Sequence, residues 1–172
     1  MEIRTYTVYK FNELSEDIQE KAIEKLFNVN VDHEWWDLTY DSAEEVGLKI
    51  TGFDIDRGSY CEGEFMESAE ASAHLIEDSH GKQCETYKSA IAYLALRDNC
   101  INTAKKDENG DFEDEYQLDQ DIDDLDNDFL KSLCEDYRII LSKEYEFLTS
   151  EESIKETIES NEYDFDGEGN LA

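Results

Sequence analysis

The sequence predicts an α+β fold: a short antiparallel sheet or hairpin packed with several helices, and a mostly helical second half. Three observations point there. Strand-like alternation is confined to brief stretches near the start, the middle and the end. Apolar residues at three- and four-residue spacing fill the longer stretches between them. No regular strand–helix–strand rhythm joins the two, which argues against a parallel sheet. The 172 residues fit one domain or two small ones, and 39% apolar residues supply a core. The composition divides the chain into an α+β part, 1–104, and an acidic, mainly helical part, 105–172, expected together to form one compact unit.

Residues 3–10, rich in Thr, Tyr and Val, read as the first strand. Ser15 stands as N-cap of a helix over 16–27, with Ile18, Ala22, Ile23 and Leu26 on its apolar face and Glu16 and Asp17 at its positive end. Asp32 is a second N-cap candidate, for a helix through Val46 closed by Gly47. Trp36, Tyr40 and Ala43 share one stripe of it and are read as core. Residues 48–55 alternate imperfectly around Gly52, a bulge position. The turn Asp56-Arg57-Gly58-Ser59 returns the chain along 60–65 as the second strand of a hairpin. Helices follow over 67–79, stopped by Gly81, and over 85–104, where Tyr87, Ile91, Leu94 and Ala95 carry the period. Residues 105–110 read as a linker. Ile122, Leu125, Phe129, Leu133, Tyr137, Ile140 and Leu141 mark a long helix over 119–141. A short strand over 145–148, a small helix capped by Ser150, a last strand over 163–165 and a frayed tail complete the reading.

Charge is the unusual property. Forty-six Asp and Glu stand against fifteen Lys and Arg, a net of −31, and both halves of the chain are strongly negative. Such a chain is not expected to bind nucleic acid or an anionic membrane directly, because both need Lys and Arg to displace counterions. Its natural partner is a cation or a basic protein surface. No apolar run approaches the roughly 20 residues of a membrane span, and no secretory leader is read at the start. The four widely spaced cysteines are expected to be reduced thiols in a cytoplasm. Nothing in the residues selects an oligomeric state.

The densest charge lies in 107–128, where Asp107, Glu108, Asp111, Glu113, Asp114, Glu115, Asp119, Asp121, Asp123, Asp124, Asp126 and Asp128 occur without one basic residue. A helix dipole stabilises only acids of the first turn, so it does not account for twelve. If helical throughout, these residues span about 33 Å, one charge per roughly 2.8 Å, close to the ~3.4 Å phosphate spacing along one DNA strand. The run, aided by Glu135 and Asp136, is the candidate partner-binding surface. The competing explanation is a solvated face kept for solubility.

Other constellations are weaker. Asp107, Asn109, Asp111 and Glu113 alternate like calcium-loop ligands, but Phe112 stands where such a loop needs Gly. Cys61, His74, His80 and Cys84 make a possible tetrahedral zinc set without a tight Cys-x-x-Cys pair. No cofactor is otherwise expected. Thiol catalysis is disfavoured by the negative field, and there is no phosphate-cradling loop or nucleophile elbow, so no enzyme is expected.

Several stretches resemble a family of small acidic, largely uncharacterised bacteriophage and prophage proteins. They are Phe11-Asn12-Glu13-Leu14-Ser15, Trp35-Trp36, Gly47-Leu48-Lys49-Ile50, Asp54-Ile55-Asp56-Arg57-Gly58-Ser59-Tyr60-Cys61, Cys84-Glu85-Thr86-Tyr87, Tyr145-Glu146-Phe147-Leu148-Thr149-Ser150 and Asn161-Glu162-Tyr163-Asp164-Phe165. The resemblance carries no catalytic motif. It implies a phage setting, in which compact acidic proteins imitate DNA and block restriction enzymes or CRISPR effectors. The expected function is therefore an anti-defence inhibitor that occupies a basic nucleic-acid channel of a host protein in the bacterial cytoplasm. The alternative is an antitoxin-like or regulatory module that binds its partner through shape and apolar contacts.

Overall fold

A computed structural model describes residues 7–172, and the chain divides into two compact units with separate hydrophobic cores. One unit joins the two ends of the chain, the described residues up to Trp36 with Lys143–Ala172. The other is the middle, Asp37–Ser142. The expected division between 104 and 105 falls inside the middle unit. The α+β class holds, with a mostly helical second half.

In the first unit, β1 (Tyr9–Lys10) pairs antiparallel with β4 (Asp164–Phe165), placing Tyr9 opposite Phe165. Residues 3–6 of the expected first strand lie outside the described residues. After a 3-10 turn at Phe11–Glu13 comes α1 (Glu16–Lys25), and α6 (Glu151–Ser160) follows Ser150. Phe11, Leu14, Ala22, Ile154, Ile158 and Phe165 form the core, with the Phe11 and Phe165 rings 6.0 Å apart. The Asn30 side chain donates to the Leu148 carbonyl and to Ser153 Oγ, and accepts from Thr157 Oγ1 at 2.7 Å. That clasp ties the segment after α1 to α6.

The end of the chain is not frayed. Phe165 and Leu171 form an antiparallel bridge, and Asp166 accepts from the backbone N–H groups of Glu168 and Asn170 inside the loop. Gly169, at φ +77°, closes that loop against α1, where an added Cβ would lie 3.0 Å from the Ile18 carbonyl oxygen.

The middle unit contains α2 (Asp37–Glu45), the hairpin β2 (Leu48–Asp54) and β3 (Tyr60–Phe65), α3 (Ala69–Ser79), α4 (Glu85–Thr103) and α5 (Glu115–Leu148), whose residues beyond Ser142 belong to the first unit. The hairpin register shifts between Ile50 and Gly52, the bulge that Gly52 suggested. Its buried face, Leu48 and Ile50, meets Ala73 and Ile76 of α3 and Phe129, Leu133 and Tyr137 of α5 in one core. Phe129 stacks between the rings of Tyr93, 4.5 Å away, and Phe65, 5.8 Å away.

Several expectations are corrected. The helix expected from Asp32 starts at Asp37, so Trp36 lies before it, edge-on to Trp35, and Trp35 packs against Tyr145. The buried stripe of α4 is Thr86, Ala90 and Tyr93, one residue round from Tyr87, Ile91, Leu94 and Ala95. Small Thr86 and Ala90 permit close packing, and the Tyr93 ring needs its place on Phe129. Residues 145–148 form the last turn of α5 instead of a strand, because no Gly or Pro interrupts the helix after Leu141. Residues 105–110 belong to a closed loop instead of a linker. Among the described residues, no helix is long and apolar enough to cross a membrane.

Candidate functional site

The acidic run folds as two different structures. Its first part is a loop closed by an antiparallel bridge between Lys106 and Phe112, with the Lys106 ammonium 4.8 Å from the Phe112 ring centre. Asp107 organises the loop. Its Oδ1 accepts from the backbone N–H groups of Asn109 at 2.8 Å and Asp111 at 3.0 Å, and Gly110 takes φ +90°. Those backbone donors hold the Asp107 carboxyl below its usual range. Asp114 then caps α5: its Oδ1 accepts from the Gln117 N–H at 3.0 Å and its carbonyl from the Leu118 N–H.

Only from Glu115 onward is the run helical. The rod expected over 107–128 is therefore shortened to 115–128, about 21 Å at 1.5 Å per residue. Leu118 and Phe129 are buried and Leu125 half-buried along its inner stripe. At about 100° per residue, Asp119 and Asp123 fall on one flank of that stripe, and Asp121, Asp124 and Asp128 on the other. The carboxylates wrap the solvent side of the helix instead of forming a single line.

Local partners divide the candidate residues into two groups. Asp121 accepts from Gln117 Nε2, Asp128 pairs with Lys131 at 3.0 Å, and the half-buried Asp126 accepts from the Tyr93 hydroxyl at 2.6 Å. Glu135 forms a two-pronged pair with Arg138, at 2.6 and 2.7 Å, which holds its carboxyl below the usual range. Asp136 is half-buried. Burial pushes its carboxyl up against the opposing hydrogen bond from Thr86, and its Oδ2 is buried without a hydrogen-bond partner. Asp126, Glu135 and Asp136 are thus engaged in the fold. Glu108, Asp111, Glu113, Glu115, Asp119, Asp123 and Asp124 are exposed, and their side chains enter none of the hydrogen bonds or ion pairs among the described residues. These seven are the uncompensated part of that candidate surface.

Among the described residues, seven basic side chains are committed to other carboxylates. Lys10, Lys49, Lys88, Arg97, Lys131, Arg138 and Lys155 are each paired with a nearby carboxylate.

The zinc set is not assembled. His74 Nδ1 lies 3.2 Å from Glu77, His80 Nδ1 lies 3.0 Å from Ser79 Oγ, and Cys84 occupies the N-cap position of α4. Cys61 instead lines a cavity together with Cys134 on α5. Among the described residues, no three His, Cys, Asp or Glu side chains are grouped to hold a metal ion, those from Asp107 to Glu113 included. In the loop, Asp107 turns inward to backbone N–H groups.

Sequence reasoning missed the Cys61–Cys134 contact and the Arg138 clamp. Cys134 does lie beside Leu133 on the buried stripe of α5, which marks it as core, but only the fold shows which strand residue it meets. No protein-family model, no curated protein and no solved structure matches the chain.

Proposed function

We propose that the protein is a phage-encoded acidic inhibitor that covers the basic nucleic-acid-binding surface of a host defence complex, a CRISPR effector or a restriction enzyme. The observation that carries this reading is the set of seven exposed, unpaired carboxylates on one loop and the helix that follows it. Charge in a helix normally serves local pairing or the first-turn dipole. Asp119, Asp123 and Asp124 serve neither, and their mutual repulsion costs stability unless a basic surface relieves it. Asp114 and Asp107 fix the loop and the helix start before a partner arrives, so little ordering cost remains for binding. The carboxylates would take the place of phosphates while offering no base to read.

The test is capture by the immobilised protein from bacterial host lysate, washed with about 0.1 M and then about 0.5 M NaCl, and eluted with duplex DNA. The expected result is a DNA-binding protein released by salt and by DNA. A variant with all seven carboxylates as amides should fold and capture nothing. If it captures the same protein equally well, the reading is wrong.

One observation favours a second reading, a regulatory module that binds by shape. Tyr116, 72% exposed, stands among the acids in the first turn of α5. An aromatic of that exposure serves as an anchor in protein interfaces. Under this reading Tyr116→Ser abolishes capture, salt has little effect, and the amide variant still binds.

A further inference from the structure

Two of the four cysteines come together in the middle unit, although they lie far apart in sequence. Cys61 is on β3 and Cys134 is on α5, where it is buried in the core. Cys61 packs against the core cluster that holds Cys134, and both residues line a cavity of about 530 Å³ between the hairpin and the helix. Lys131 and Arg138, one helical turn to either side of Cys134, line the same cavity. Cys84 and Cys100 are free thiols, and neither lines this cavity.

We propose that Cys61 and Cys134 are a reversible redox modification site, closed to a disulfide by a small peroxide that enters this cavity. The pair is chemically asymmetric. The interaction between the two thiols, with burial adding to it, pushes the Cys61 thiol up, and the same interaction holds the Cys134 thiol below its usual range. Cys134, flanked in the cavity by the cationic Lys131 and Arg138, is assigned as the attacking sulfur and Cys61 as the resolving one.

In the first step the Cys134 thiolate attacks one peroxide oxygen. The O–O bond breaks, a sulfenic acid forms, and hydroxide leaves and takes up a proton as water. In the second step Cys61 loses its proton and attacks the Cys134 sulfur. The S–S bond forms, and the sulfenic oxygen leaves as a second water. Two thiols and one hydrogen peroxide give one disulfide and two waters; sulfur loses two electrons and peroxide gains them. A dithiol reductant reverses the change by exchange.

The crosslink joins β3 to the helix that carries the acidic run and closes a loop of roughly 73 residues, which restricts the unfolded chain strongly. Oxidation therefore makes the inhibitor harder to unfold without changing its surface charge.

The experiment treats the reduced full-length protein with stoichiometric hydrogen peroxide, blocks remaining thiols by alkylation, and maps linked peptides by mass spectrometry without reduction. The expected result is a monomeric Cys61–Cys134 crosslink, two of four thiols lost, and a melting temperature raised by roughly 10 °C and restored by dithiothreitol. The Cys84→Ser/Cys100→Ser variant, which leaves the pair intact, should behave identically. Cys61→Ser should stop at a sulfenic acid on Cys134 that a dimedone reagent traps. Four alkylatable thiols after treatment, a crosslink through Cys84 or Cys100, or only intermolecular links would overturn the proposal.

Discussion

The Tyr93 hydroxyl donates a 2.6 Å hydrogen bond to Asp126 Oδ1, joining α4 to α5 through a carboxylate of the acidic run. The same tyrosine ring stacks at 4.5 Å on Phe129, one turn further along α5. Asp126 is therefore part of the core boundary, and the proposed partner-binding surface lies on its neighbours. Burial and the Asp126 carboxylate together push the Tyr93 phenol up, so it stays a donor at every physiological pH. Tyr93→Phe leaves a half-buried carboxylate without its donor and should cost about 1.5–3 kcal/mol. The urea midpoint measures it, and binding to the partner should be unchanged.

Asp136 gives stability a definite pH dependence. Burial raises its carboxyl above the ordinary value, against the hydrogen bond from Thr86, with Glu85 and Glu135 adding to the rise. The folded state therefore holds a proton more tightly than the unfolded one. Its contribution is gained on acidification and lost as pH rises through the raised folded value. Asp136→Asn should be more stable than the parent at pH 7, with the gap narrowing as pH falls toward about 3.9. Urea midpoints of both proteins across that range provide the check.

Glu135, Asp107 and Asp166 act in the opposite sense. Arg138 beside Glu135 and backbone or Asn170 donors at the two aspartates lower their carboxyls, so their stabilisation is present above the ordinary carboxylate value and is lost as pH falls below it.

Added salt should stabilise the fold and weaken binding. With a net charge of −31, self-repulsion dominates the surface electrostatics, and raising NaCl from about 0.05 to 0.5 M shortens its range. The melting temperature should rise with salt, whereas partner affinity should fall. A fold resting mainly on its surface ion pairs would lose stability over the same range.

The serine caps should separate. Ser150 Oγ accepts from the Ser153 N–H at 3.2 Å, while Ser15 opens α1 without a side-chain hydrogen bond. Ser150→Ala should cost about 1 kcal/mol and Ser15→Ala only a few tenths. Thermal melts of the two variants compare them directly.

Local pattern made much of this fold legible. The alternation around Gly52, the turn at Asp56-Arg57-Gly58-Ser59 and the spacing from Leu125 to Leu141 each correspond to an observed element. Features set by distant partners were not legible. Nothing near Tyr9 announces that it pairs with Phe165, so the unit built from both chain ends is invisible in any window. The rotation of α4 depends on Tyr93 finding Phe129. The acidic run was visible as composition, but its division was not. Which carboxylates are spent on Tyr93, Lys131 or backbone N–H groups follows from side-chain geometry alone.

The most direct measurement is the salt dependence of affinity for the captured partner, determined for the parent and for the variant with Glu108, Asp111, Glu113, Glu115, Asp119, Asp123 and Asp124 as amides. The account predicts a steep fall in log affinity with log salt for the parent, and a weak, nearly flat dependence for the variant. Equal affinities and equal slopes would contradict it, and would return these seven carboxylates to the role of a solvated face.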